Sequence, residues 1–158
     1  MDNIKDIRLF LEPQSLAIIG ISRKTGERYD NALQNLLAYG YKGRIYPVNP
    51  NASEILGIKA YPSIKSINDP VDHAVIVTPR RQVPGHIRDC ADKGISAVTV
   101  VTQGFSDSGD EEGRSLHREV VKLAEATGVR ILGPNSFGSA NVFANFCSAF
   151  ARLSMQLN

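Results

Sequence analysis

Short apolar runs alternate along this chain with polar tips rich in Gly, Pro and Asn, and stretches with apolar positions three and four apart stand between them. Ser15-Leu16-Ala17-Ile18-Ile19 breaks at Gly20. Arg44-Ile45-Tyr46-Pro47-Val48 ends at Asn49-Pro50-Asn51, and Ala74-Val75-Ile76-Val77 ends at Thr78-Pro79-Arg80. Ala97-Val98-Thr99-Val100-Val101 ends at Thr102-Gln103-Gly104, and Val129-Arg130-Ile131-Leu132 ends at Gly133-Pro134-Asn135. The runs are apolar on both faces and rich in β-branched residues, the composition of parallel strands covered on both sides.

The stretches between them read as the covering helices. One runs from about Tyr29 to Tyr39, with Ala32, Leu33, Leu36 and Leu37 as its buried stripe and Gly40 at its end. A second starts near Pro84, turns Val83, Ile87, Cys90 and Ala91 to one side, and stops at Gly94. The third follows Ser106-Asp107-Ser108, sends Leu116, Val120, Leu123 and Ala124 inward and ends at Gly128; Asp110, Glu111 and Glu112 sit in its first turn, where the helix dipole favours anions. Strand and helix in alternation predict an α/β fold, a doubly wound parallel sheet of about five strands. Right-handed crossovers favour the order 3-2-1-4-5, and ligands of such sheets bind beyond the carboxyl ends of the strands, at the switch point beside the first.

The first tip carries a candidate chemistry. Gly20 lets the backbone turn sharply, Ser22 can donate a hydrogen bond, Arg23 and Lys24 supply positive charge, and the helix that follows opens with unpaired amides. Such a turn can be a plain tight connection. Repeated as one of five polar tips on a single edge, it reads as a cradle for an anionic ligand.

Length and charge narrow the class. With 158 residues, 42% of them hydrophobic, the chain suffices for one domain, expected over 1–150, with 151–158 as a tail or the start of a linker. A formal charge of +2 without Lys/Arg runs interleaved with aromatics argues against a nucleic-acid partner. No apolar run approaches the roughly 20 residues of a membrane span, and the charged start is unlike a signal peptide, so a cytoplasmic location is expected. Cys90 and Cys147 lack metal or redox spacing and read as small apolar residues; no metal site is expected.

Four stretches together carry a family resemblance: Pro13-Gln14-Ser15-Leu16-Ala17-Ile18-Ile19-Gly20-Ile21-Ser22-Arg23, Gly43-Arg44-Ile45-Tyr46-Pro47-Val48-Asn49-Pro50, Val71-Asp72-His73-Ala74-Val75-Ile76-Val77-Thr78-Pro79 and Leu132-Gly133-Pro134-Asn135-Ser136-Phe137-Gly138. Over about residues 7–150 the chain resembles the CoA-binding domain of NDP-forming acyl-CoA synthetases, the group that includes the alpha subunit of succinyl-CoA synthetase. The resemblance implies a Rossmann-like fold and coenzyme A as cofactor. It also implies that Gly20, Ser22 and Arg23, with Lys24 beside them, hold the phosphates. Asn49 and Pro50 would flank the nucleoside, Val77, Thr78 and Pro79 would wall the adenine, Gln103 and Gly104 would lie near the thiol arm, and Asn135 would face chemistry arriving from another domain. The implied partners are ligase and ATP-grasp domains or subunits of the same enzyme.

Two departures stand out: Arg28 and Tyr29 where the family usually has an apolar and a small residue, and Ser136 where Gly-Pro-Asn-Cys is common. The family reaction passes through a phosphohistidine, which neither His73, His86 nor His117 matches; each reads as a surface or edge histidine. The chain is therefore expected to contribute no catalytic residue and to be inactive alone. A stand-alone CoA-binding or sensing module is the alternative. An NAD-dependent oxidoreductase fits less well, because the first loop reads Gly20-Ile21-Ser22-Arg23-Lys24-Thr25-Gly26 in place of G-x-G-x-x-G, and Asn49 stands where a ribose-binding acid belongs. Phe143, Phe146 and Phe150 would suit packing against a further domain, a second copy of this one, or this domain's own core.

Overall fold

A computed structural model describes residues 3–24 and 31–150. Helix α1 (Asn3–Leu11) leads into β1 (Ser15–Ile19), α2 (Ala32–Ala38) and β2 (Arg44–Val48). A small hairpin, β3 (Glu54–Ile55) and β4 (Ile58–Lys59), then precedes β5 (His73–Ile76). A 3₁₀ turn at Arg80–Gln82 runs into α3 (Val83–Asp92), followed by β6 (Ala97–Val100), α4 (Glu111–Thr127) and β7 (Arg130–Leu132). A second hairpin, β8 (Ala140–Asn141) and β9 (Phe146–Cys147), ends the described chain.

The predicted doubly wound parallel sheet is present, with five strands in the order β2-β1-β5-β6-β7. Its third long strand, β5, pairs with β1, with Ala17 opposite Ala74 and Ile19 opposite Ile76; the expected order had put that strand outside β2. The outer place is held by Tyr61, which makes a lone parallel bridge with Val48; counting that bridge as a strand gives six in the order 3-2-1-4-5-6, the expected run with one strand more. The sheet order reverses on either side of β1, so the switch point falls between β1 and β5.

Side chains on β1 alternate between two apolar layers. Leu16 and Ile18 pack with Leu33, Leu36 and Phe146 beneath α2 and the β8–β9 hairpin. Ala17 and Ile19 pack with Val83, Ile87 and Val120 beneath α3 and α4. The helix ends follow their local chemistry: Asn31 accepts the Gln34 amide at 2.9 Å, and Asp110 accepts the Gly113 amide at 2.7 Å. Gly128, in the left-handed region, closes α4.

Several expectations are corrected. Leu37 faces outward, because α2 turns Ala32, Leu33 and Leu36 to the sheet and leaves that side to solvent. β7 is an edge strand and keeps Leu132 partly exposed. His73 is fully buried, with Nε2 2.9 Å from Thr99 Oγ1 and its ring edge-on to Phe10. Of the three aromatics, Phe146 is buried and Phe150 packs against the same layer, while Phe143 is 97% exposed. Cys90 and Cys147 are buried free thiols, as read, and burial pushes Cys90 up to about 12. Arg28, Tyr29 and the 151–158 tail lie outside the described residues.

Candidate nucleotide-binding site

The carboxyl ends of β1, β2 and β5 converge on a slot of about 320 Å³. Gly20 forms its floor with φ of +87°, and a Cβ there would come within 2.5 Å of Thr78 Cγ2 and 3.1 Å of the Thr78 amide nitrogen. Only a glycine lets the β1 tip approach the β5 tip so closely. Asn49 ties the β2 tip to the same loop: its Nδ2 donates to the Ile21 carbonyl at 2.7 Å, and its Oδ1 accepts the Asn51 amide at 2.8 Å. Asn49 thus braces the slot as well as lining it. The walls carry Pro50, Val77 and Pro79, apolar surfaces suited to a flat ring. Thr78 Oγ1, also at the slot, is buried and has no hydrogen-bond partner among the described residues.

The slot therefore brings together Gly20, Asn49, Pro50, Val77, Thr78 and Pro79. Ser22, Arg23 and Lys24 are not part of its lining. They stand exposed on the loop just beyond Gly20, where Ser22 Oγ accepts the Lys24 amide at 3.0 Å. Gln103, Gly104 and Asn135 lie farther along the edge. Gln103 is exposed at the β6 tip, and Asn135, at φ of +58°, donates its amide to the Thr102 carbonyl at 3.0 Å. Thr102 Oγ1 in turn donates to the Thr78 carbonyl at 2.7 Å, so the tips of β5, β6 and β7 are joined in one row.

The far wall comes from residues that the sequence reading did not select. Gln82, the cap residue before α3, and His86 and Asp89 within it, four and three residues apart, line one side of the slot, and Ser63 borders it from the segment before β5. Partial burial holds His86 below the usual histidine range, against the opposing pull of the Asp89 carboxylate. Asp89 is paired with Lys65 at 2.7 Å. The polar i, i+4, i+7 spacing was visible in the sequence, but a solvated helix face looks the same until the fold turns it inward. Among the described residues there is no cluster of His, Cys, Asp or Glu able to hold a metal ion, and no helix long and apolar enough to cross a membrane.

A parallel sheet with an apolar-walled slot at its switch point and a cationic loop beside it is the arrangement in which α/β domains hold nucleotide-type ligands. Residues 14–141 match the CoA binding domain, and the chain belongs to that family. It is 45% identical over 148 residues to the ADP-forming acetate–CoA ligase II of Archaeoglobus fulgidus, covering 94% of this chain and 22% of the ligase. It is 41% identical over 136 residues to the alpha subunit of the ADP-forming acetate–CoA ligase I of Pyrococcus furiosus, covering 84% of this chain and 29% of that subunit. The solved acetyl-coenzyme A synthetase 1 of Ca. Korarchaeum cryptofilum, in complex with phosphate and ADP, superposes with a TM-score of 0.82 at 41% identity, over 92% of this chain and 30% of that one. The chain thus spans about a fifth to a third of the length of these relatives.

Proposed function

We propose that this chain binds coenzyme A as the CoA-binding part of an NDP-forming acyl-CoA synthetase, and that other domains or subunits, of the ligase and ATP-grasp kind, carry the phosphoryl transfer. The observation that carries this reading is the slot between the β2 and β5 tips, with Pro50, Val77 and Pro79 as walls and Gly20 as floor. An adenine ring lies between those walls with its polar edge toward Asn51, Ser63 and the α3 face. The phosphates run from the slot to the exposed Ser22-Arg23-Lys24 loop, where two cations and a hydroxyl meet them. The pantetheine arm crosses the joined tips of β6 and β7, past Gln103 and Asn135, and presents its thiol at the edge of the domain. In the whole enzyme, that thiol takes the acyl group of an acid activated at the expense of a nucleoside triphosphate.

The roles of the chain's own residues are binding and orientation. Chemical-shift mapping by NMR tests them. Added CoA should move the amides of Gly20, Arg23, Asn49, Thr78 and Gln103, while those of α4's last turn stay in place. Shifts confined to surfaces away from the strand tips would refute the reading.

A further inference from the structure

Arg80 follows the slot wall directly, on the 3₁₀ turn after Pro79, and its guanidinium does not face the slot. It reaches sideways to the next tip. Nη1 donates to the Gly104 carbonyl at 2.7 Å and to Asp110 Oδ2 at 2.9 Å, and Nη2 donates to Glu112 Oε2 at 2.7 Å. Asp110 also caps α4, so the same contacts bind the β5 tip to the start of that helix. With two carboxylates against it, this arginine is already neutralised and is poorly placed to hold a phosphate.

The Gly104 tip is committed inward on both sides. Its carbonyl accepts from Arg80, and its amide donates to Asp107 Oδ2 at 3.1 Å, while Asp107 Oδ1 accepts the neighbouring Phe105 amide at 2.7 Å. Phe105 is fully buried and anchors the turn from below. Gly104 has φ of +95°, and a Cβ there would approach Arg80 Cδ to 3.1 Å. The polar group this tip offers outward is the exposed side chain of Gln103.

We propose that Arg80 is a positioning residue: with Asp110 and Glu112 it latches the β6 tip to the β5 tip, setting the distance from the nucleoside slot to Gln103, which meets the thiol-bearing arm. The inference rests on the coenzyme reading for the identity of the arm, whereas the latch itself rests on the contacts above. Adenosine 3′,5′-bisphosphate occupies the slot but lacks the arm, so it separates the two.

The parent chain, Arg80→Met and Arg80→Lys are titrated with CoA and with adenosine 3′,5′-bisphosphate. Arg80→Met, which keeps much of the side-chain packing, should lose roughly tenfold in CoA affinity, the scale of one charge-assisted hydrogen bond. Its affinity for the bisphosphate should stay within about twofold of the parent. Arg80→Lys keeps the charge but cannot fork between partners, and should fall between the two. Equal losses for both ligands, or unchanged CoA affinity, would overturn the proposal. Hydrogen exchange supplies the arm that needs no ligand: the Gly104 and Phe105 amides should exchange faster in Arg80→Met while β1 amides stay protected. Unchanged exchange at those two amides overturns the latch, and a parent chain that binds neither ligand refutes the coenzyme reading instead.

Discussion

Gly20 concentrates the logic of the site in one position. Its backbone conformation is one that L side chains rarely adopt, and Thr78 occupies the space where a Cβ would stand. Gly20→Ala is expected to cost about 1–3 kcal/mol from the backbone alone, with the contact to Thr78 adding to it. Because the clash pushes the β1 and β5 tips apart, ligand affinity should fall along with the melting temperature. Calorimetry and thermal denaturation of the same variant check both, and an unaltered slot would show as unchanged values in each. Gly20, Asn49 and Pro79 could be read from the sequence because a Gly or Asn directly after an apolar run, or a Pro one place beyond it, marks where a strand stops. Gln82, His86 and Asp89 could not, since α3 and the turn before it gain their meaning only from the segment that β2 and Ser63 bring opposite them. Arg80 was legible as a tip residue, but not as a latch, because Gly104, Asp110 and Glu112 lie 24 to 32 positions away.

At the scale of elements, the strands and their covering helices were readable from periodicity, while α1 and the two hairpins were not. Those unread elements decide the fate of His73. Read as an edge residue, it is instead enclosed by Phe10 of α1 and Phe146 of β9, with Thr99 as its partner. Burial lowers its pKa to about 3, far below the roughly 6.5 of an unfolded chain. Between those values the unfolded state binds the proton and the folded state does not, so stability rises with pH through the window and is lost as pH falls from about 6.5 toward 3. One such group contributes a slope of up to about 1.4 kcal/mol per pH unit. His73→Leu should lower the melting temperature at pH 7, by leaving Thr99 Oγ1 without its partner, and should flatten the fall between pH 6.5 and 4 relative to the parent. Parallel melting-temperature curves across that range would show that His73 is not the group responsible. Asp110 and Glu112 act in the same direction at lower pH: Arg80 for Asp110, and Arg81 followed by Arg80 for Glu112, hold their carboxyls below the usual range, so the latch they form is retained above it and lost on strong acidification.

For the whole molecule, the sheet order was the least legible feature. Residues 49–72 hold a hairpin and a short 3₁₀ turn where another crossover would have an α-helix, so no amphipathic stripe shows on which side of β1 the next strand returns. The outer place beside β2 goes to Tyr61 through two backbone bonds, its amide to the Pro47 carbonyl and its carbonyl from the Asn49 amide, each 2.9 Å. The position of the switch point survives that difference, and with it the position of the slot. Exposed Phe143 and Phe137, at 97% and 77%, lie on the C-terminal segment beyond β7. On the proposed reading the purified chain, incubated with CoA, a magnesium nucleoside triphosphate and a panel of short and aromatic acids, should form no acyl-CoA above a protein-free control by mass spectrometry. Turnover would place a catalytic centre within these residues.

The most direct test of the coenzyme assignment is calorimetric titration of the chain with CoA and with NAD under the same conditions. The Ser22-Arg23-Lys24 loop favours a phosphate-rich ligand, and Asn49 at the β2 tip lacks the carboxylate suited to a ribose diol. CoA should therefore bind more tightly than NAD. Tighter binding of NAD would contradict the account and return the slot to the oxidoreductase reading.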